Sequence, residues 1–179
     1  MFYMDTSALL KRLRPERGTD YVMKLVDRAE RGEIKMVSSS WLLLECLSAI
    51  QSWLARGWIT REERNTILRR LHHDFSRWVD MGCFIFMEIR SPLLLDAAVL
   101  IVKHSMEPGD ALHLATALAW RDQVEALITS DKHLKRAAMR EGLKVIDPEE
   151  RGIDVLITCP GFKSRRARRP SPAPCARNP

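Results

Sequence analysis

Acidic residues stop at Asp154. Beyond it the chain still carries Lys163, Arg165, Arg166, Arg168, Arg169 and Arg177. These six bases account for the whole formal net charge of +6, so residues 1–154 balance to zero. The basic excess is therefore no evidence for a basic groove in the folded part. Cysteine is scarce as well, limited to Cys46, Cys83, Cys159 and Cys175. None form a CxxC pair and no histidine spacing completes a zinc pattern, so a zinc module is not expected. Cys46 and Cys83 sit in apolar runs and read as small buried hydrophobes. No apolar run approaches the length of a membrane span. No charged segment followed by a long apolar one marks a secretion signal. A reducing, cytoplasmic setting is the expectation, with no membrane partner. The sequence also lacks internal repeats.

What is present is core material. Hydrophobic residues make up 46% of 179 residues, enough for one domain of ordinary size. The chain opens on an apolar run, Met1 to Met4, that stops at Asp5 and continues into Thr6, Ser7 and a helical-looking segment. That pattern predicts a short buried strand, an acid at its carboxyl end, then a helix. Ligands of open α/β sheets sit outside the carboxyl ends of strands. A helix cap would explain Asp5 equally well, since Asp favours the N-cap position.

The rest of the chain alternates. A short helix over 6–13 ends before Pro15, and a second, with Tyr21, Val22, Leu25 and Val26 on one face, ends at Gly32. Residues 34–37 alternate like a strand, and Ser38 to Ser40 offer caps to a helix from Trp41 to about Arg56. Thr60 with Glu63 forms a capping box before a helix carrying Ile67, Leu68, Leu71, Phe75 and Trp78. Strands are predicted at 83–87, 124–129 and 143–146. Helices are predicted from Ser91, from Asp110 to about Trp120, and over 131–140, with Pro108-Gly109 as a turn. This order predicts an α/β fold of three layers, α/β/α, around a central parallel sheet. The pattern bounds a domain at 1–147. An extension at 148–162 and a basic tail at 163–179, whose Arg, Pro, Ser and Ala cannot bury a core, complete the chain.

Four acids stand out. Glu45 lies in Trp41–Leu47, a segment apolar nearly all round, which predicts a buried helix. A carboxylate there must be paired, neutralised or bound to a cation. Asp110 and Asp131 each open a helix, and a cap alone would account for either. Capping does not require several acids at one end of a sheet. A hard divalent cation does, because Mg²⁺ and Mn²⁺ prefer carboxylate oxygens. Without the cation, mutual repulsion should raise the pKa values of the four. His104 and His113 flank Asp110 but read as packing or surface. Lys11, Arg12, Arg14, Lys132, Lys135 and Arg136 are placed to steer phosphates, though solvated helix faces explain them more simply. The Trp53, Trp58, Phe75 and Trp78 set reads as core before interface.

Four segments in this order, Tyr3–Leu9, the isolated Glu45, Asp110–Ala117 and Thr129–Leu134, resemble the ordered motifs of PIN-domain ribonucleases. The nearest group is the VapC-type toxins of bacterial toxin–antitoxin pairs. The resemblance covers about residues 1–147 and says nothing of the tail. It implies that Asp5, Glu45, Asp110 and Asp131 form an acidic site for Mg²⁺ or Mn²⁺, supported by Thr6 or Ser7. It implies metal-dependent endoribonuclease activity leaving a 5′-phosphate, inhibition by a cognate antitoxin, and homodimerisation. Two other classes remain open at this stage. A Mg²⁺-dependent phospho-accepting signalling domain would need an acceptor Asp on a middle strand, where 83–87 ends in Glu88 instead. A non-catalytic binding module would use the Trp-rich helices.

Overall fold

The structure is a computed structural model that describes residues 1–150. The expected extension from residue 151 and the basic tail lie outside the described residues, as do Cys159 and Cys175.

Five short parallel strands form one sheet in the order β3-β2-β1-β4-β5. They are β1 (Phe2–Met4), β2 (Met36–Ser39), β3 (Phe84–Met87), β4 (Ala126–Ile128) and β5 (Val145–Ile146). The helices between them are α1 (Thr6–Leu9), α2 (Thr19–Glu30), α3 (Leu42–Ala55), α4 (Arg61–Asp80), α5 (Ser91–His104), α6 (Pro108–Ala119) and α7 (Lys132–Arg140). A single 3₁₀ turn, Leu10–Arg12, follows α1. The result is the three-layer α/β/α arrangement with a parallel sheet. β1 is buried along its whole length, as a strand covered on both faces must be. Phe2 and Met4 enter one core with Leu25, Leu42, Trp78 and Phe84, and Tyr3 enters the other with Val37, Leu114 and Leu127. Among the described residues, no helix is long and apolar enough to cross a membrane.

The sheet order locates the crevice. From β1 the chain winds outward through β2 and β3, then returns to place β4 on the other side of β1. The winding reverses between β1 and β4, and that switch point is where doubly wound sheets hold ligands. Met4 pairs with Ile128, so Asp5 and the segment Thr129–Asp131 leave the sheet side by side.

Several sequence expectations are corrected. β2 lies two residues later than 34–37. Ser38 and Ser39 are buried strand residues: Ser38 Oγ donates to the Met4 carbonyl and the Ser39 N–H donates to the Tyr3 hydroxyl, while Ser39 Oγ still accepts the Trp41 N–H just before α3. Pro108-Gly109 is not a turn. Pro108 opens α6, where its missing N–H costs nothing, and Glu107 takes the N-cap position. Asp110 is therefore the third residue of α6 and not its cap. The helix around Glu45 is not buried all round, since Leu43, Leu44 and Leu47 are exposed. The strand at 84–87 is at the sheet's edge, and the central strand is β1, which leads into Asp5.

Candidate active site

Asp5 caps α1 and does more than cap. Its Oδ2 accepts from the Ser7 N–H at 3.2 Å, the Ser7 hydroxyl at 2.6 Å and the Thr129 hydroxyl at 2.8 Å. Ser7 Oγ in turn accepts from the Ser130 N–H, and Thr129 Oγ1 from the Asp131 N–H. Hydroxyls thus stitch the ends of β1 and β4 together and turn the buried carboxylate to a single orientation. Among the described residues nothing donates to Asp5 Oδ1.

Glu45 stands in the first turn of α3, one-quarter exposed. Its Oε2 accepts from the Thr6 hydroxyl at 2.5 Å and faces His113 Nε2 at 2.6 Å. Its Oε1 accepts from the Trp41 indole at 3.2 Å. The fourth wall is Gly109. A Cβ built on Gly109 would run into Glu45 Oε1 and come within 3.2 Å of Trp41 Nε1. The bare Cα lets α6 approach α3 closely enough for His113, four residues on, to reach the same carboxylate.

His113 is fully buried, on the helix that reads from sequence as packing or surface. Its Nδ1 meets the Tyr3 hydroxyl at 2.9 Å, and the two rings pack edge to face. Ligand atoms of Asp5, Glu45 and His113 lie within 4.8 Å of one another. Asp110 and His113 stand at i and i+3, which share a helix face.

Asp131 caps α7, its Oδ1 accepting from the His133 and Leu134 N–H groups at 2.7 Å each. Asp110 differs from the other three acids. Half-buried, its carboxylate has no hydrogen bond and no ion pair among the described residues. Burial, then the charges of Asp131, Asp5 and Glu45, push its pKa up to about 7. The repulsion expected between clustered carboxylates is therefore found here. Glu45 goes the other way. Burial opposes its ionisation, but the His113 hydrogen bond and charge, with Thr6 and Trp41, outweigh it and lower the pKa. Burial also opposes charging His113, and the Glu45 hydrogen bond with the charges of Asp5, Glu45 and Asp110 outweighs that, so its pKa is raised.

Among the described residues the group brought within ligand distance is Asp5, Glu45 and His113, and Asp110 and Asp131 stand outside it. Among the described residues Asp5 Oδ1, Asp110 and Asp131 Oδ2 accept no hydrogen bond, with His113 Nε2 3.9 Å from Asp5 Oδ1, and the repulsion at Asp110 is what a hard divalent cation would relieve. The basic residues near the site divide sharply. Lys11 is buried between Glu16 and Glu149, Arg12 is bound to Asp74, and Lys135 to Asp147 and Glu150. These three fasten the chain rather than steer a ligand, and among the described residues Arg14, Lys132 and Arg136 have no such partner.

A pH dependence follows. A folded-state pKa of about 7 means that folded Asp110 keeps a proton between about pH 4 and 7 that the unfolded chain releases. Stability from this group falls as pH rises through that window. The raised His113 pKa acts in the same sense, its contribution being lost as pH climbs through the folded value. Glu45 acts oppositely, but only where pH falls below the ordinary carboxylate range. The metal-free protein is thus expected to melt at a lower temperature at pH 8 than at pH 5. Asp110 should account for about 1–2 kcal/mol of that loss after solvent screening is allowed for. Asp110→Asn should flatten the profile in thermal melts with chelator, and saturating Mn²⁺ should do the same for the wild type. A melting temperature that rises from pH 5 to 8 without metal would contradict the assignment.

Known proteins share this architecture. FitAcB from Neisseria gonorrhoeae is 17% identical, with a TM-score of 0.57 over 83% of this chain and 98% of that one. A toxin–antitoxin complex from Klebsiella pneumoniae is also 17% identical, with a TM-score of 0.52 and the same coverage. VapBC2 from Rickettsia felis, bound to a DNA fragment from their promoter, is 14% identical, with a TM-score of 0.55 over 82% of this chain and 98% of that one. At these identities the likeness is one of fold. Among curated proteins none matches the chain. The model of one family, the PIN domain, matches residues 2–139, which run from β1 to within one residue of the end of α7 and include Asp5, Glu45, Asp110, His113 and Asp131. The chain belongs to the PIN-domain family.

Proposed function

We propose that the chain is a metal-dependent endoribonuclease and the toxin of a toxin–antitoxin pair. The observation that carries this reading is the cluster at the switch point of a PIN-domain fold, where ligand atoms of Asp5, Glu45 and His113 lie within 4.8 Å of one another and Asp110 is half-buried with no donor among the described residues. Asp110 is the third residue of α6 and not its N-cap, which is Glu107. Similarity in fold to the toxin–antitoxin complex from Klebsiella pneumoniae supports the toxin role and, with it, an antitoxin partner. Asp5, Glu45, Asp110 and Asp131 would hold Mg²⁺ or Mn²⁺. When bound, such an ion supplies Lewis-acid polarisation of a phosphoryl oxygen and lowers the pKa of water.

The protein's own groups do the positioning. Ser7 and Thr129 hold Asp5 so that Oδ1 faces the crevice. Thr6, Trp41 and His113 hold Glu45 by three donors. Neither the Tyr3 phenol, pushed up by burial, nor the similarly buried Cys46 thiol offers an ionised nucleophile. Direct attack by water therefore suits the site better than a covalent intermediate. The test is RNA cleavage with Mn²⁺, with and without chelator. Absence of chelator-sensitive cleavage would overturn the reading.

Stability offers a second measurement. A cation that binds only the folded state stabilises it by about 2.7 kcal/mol at 100 times its Kd. Mg²⁺ or Mn²⁺ is therefore expected to raise the melting temperature by several degrees, and Asp5→Asn to abolish the rise. A flat melting curve against metal concentration for the wild type would count against the site.

A further inference from the structure

One cluster of side chains away from the carboxylates is not used by the site. The guanidinium carbon of Arg14 lies 4.7 Å from the centre of the Trp58 ring and 5.8 Å from that of Trp53. That of Arg56 lies 5.1 Å from the centre of the same Trp58 ring. The two cations are therefore within about 10 Å of each other. Trp58 is 51% exposed, and both arginines are exposed. Arg12, Arg28, Arg31, Arg77 and Arg90 all bind carboxylates. Among the described residues Arg14 and Arg56 bind none; several other surface arginines bind none either, but only these two lie over one exposed indole. Two like charges gathered on one indole repel each other at a cost that an anion would remove.

The position of the cluster is informative. The segment 6–14 and helix α3 start together at the site, where Thr6 donates to Glu45. They end together at the cluster, where Arg14 meets Trp53 and Trp58. Between Glu45 and Ala55, α3 rises about 15 Å. The seam between the two segments thus leads from the carboxylates to an exposed aromatic flanked by unpaired guanidiniums. An aromatic face beside arginines is how proteins hold single-stranded nucleic acid, bases stacking while the cations take phosphates. Resting on the reading that RNA is the substrate, we propose that Arg14, Trp58 and Arg56 form a platform for single-stranded RNA several nucleotides away from the bond that is cut.

The test uses a fluorescein-labelled oligouridylate of about 15 nucleotides, bound to the full chain in chelator. Arg14→Gln combined with Arg56→Gln is expected to weaken binding about ten-fold. Over about 50 to 200 mM salt, the double variant should lower the slope of log affinity against log salt by ~1.4, as for two lost phosphate contacts. Trp58→Phe should keep most of the affinity, and Trp58→Ala should lose as much as the double variant. The Mn²⁺-induced rise in melting temperature should be unchanged in all three, which shows the fold and the carboxylates intact. Wild-type affinity in the variants, with a lowered melting temperature, would make the cluster a structural staple and overturn the proposal. Wild-type affinity with loss of the complex formed on co-expression with the antitoxin would assign the cluster to a protein partner and overturn it too. If the wild type cleaves RNA while the variants bind normally, only the platform fails. If the wild type neither binds nor cleaves RNA, the substrate reading fails first.

Discussion

Asp5→Asn, Glu45→Gln and Asp110→Asn are each expected to lose at least about 100-fold in RNA cleavage while staying folded. Each replaces a carboxylate by an amide of the same shape. At position 5 all three donors meet Oδ2, so an amide oxygen still accepts from them. At position 45 the donors are divided between the two oxygens, so Gln keeps those on one side and turns its NH₂ toward the other. What disappears is charge, which a cation site needs and a helix cap does not. Asp110→Asn separates the two roles most sharply. Ionised Asp110 is repelled by its neighbours, so the amide should raise the melting temperature of the metal-free protein at pH 8 while cleavage is lost. Asp131→Asn should lose less, because Asp131 spends Oδ1 on two backbone N–H groups and Asn caps as well as Asp. Single-turnover cleavage and circular dichroism on the same preparations decide the matter. Near-wild-type cleavage by Glu45→Gln or Asp110→Asn would remove that residue from the site.

Gly109→Ala is expected to stabilise the helix and damage the site at once. Gly109 lies inside α6, where alanine is favoured over glycine by about 0.5–1 kcal/mol. Its added methyl, however, would collide with the Glu45 carboxylate. Glu45 must then leave the position set by Thr6, Trp41 and His113. Cleavage and Mn²⁺ affinity should fall by about 10–100-fold, as when an orienting partner of a metal ligand is lost. The metal-free melting temperature should hold or rise. On a Glu45→Gln background the further loss of Mn²⁺ affinity should vanish, since the two residues act through one carboxylate. Full Mn²⁺ affinity and cleavage in Gly109→Ala would show that Glu45 relaxes without consequence.

The two results divide along the line between local and distant information. Strand and helix order is written in periodicity: the buried run before Asp5, the capping box at Thr60 and Glu63, and the alternation of elements all survive in the structure. These signals are local, because a strand's burial or a helix's start depends on residues a few positions apart. The placing of Asp5 at a strand's carboxyl end belongs to the same class.

Other features required the chain to come together. Nothing near position 113 distinguishes a packed histidine from one facing Glu45, because its partners lie 68 and 110 residues away. The glycine at 109 resembles half of a turn signal until α3 is placed against it. Lys11 and Arg14 look alike in sequence, yet one is buried between two glutamates and the other lies on an exposed tryptophan. Even the four acids, alike as residues, separate only in three dimensions. Glu45 is lowered by a histidine and Asp110 raised by its neighbours, since a pKa is set by which charges and donors surround a group. By itself, then, the sequence determined the order of the layers and the acid at the end of the central strand, because each depends on neighbours along the chain. The tertiary structure alone decided which side chains meet at the switch point and what charge each carries there, because burial and Coulomb forces act through space.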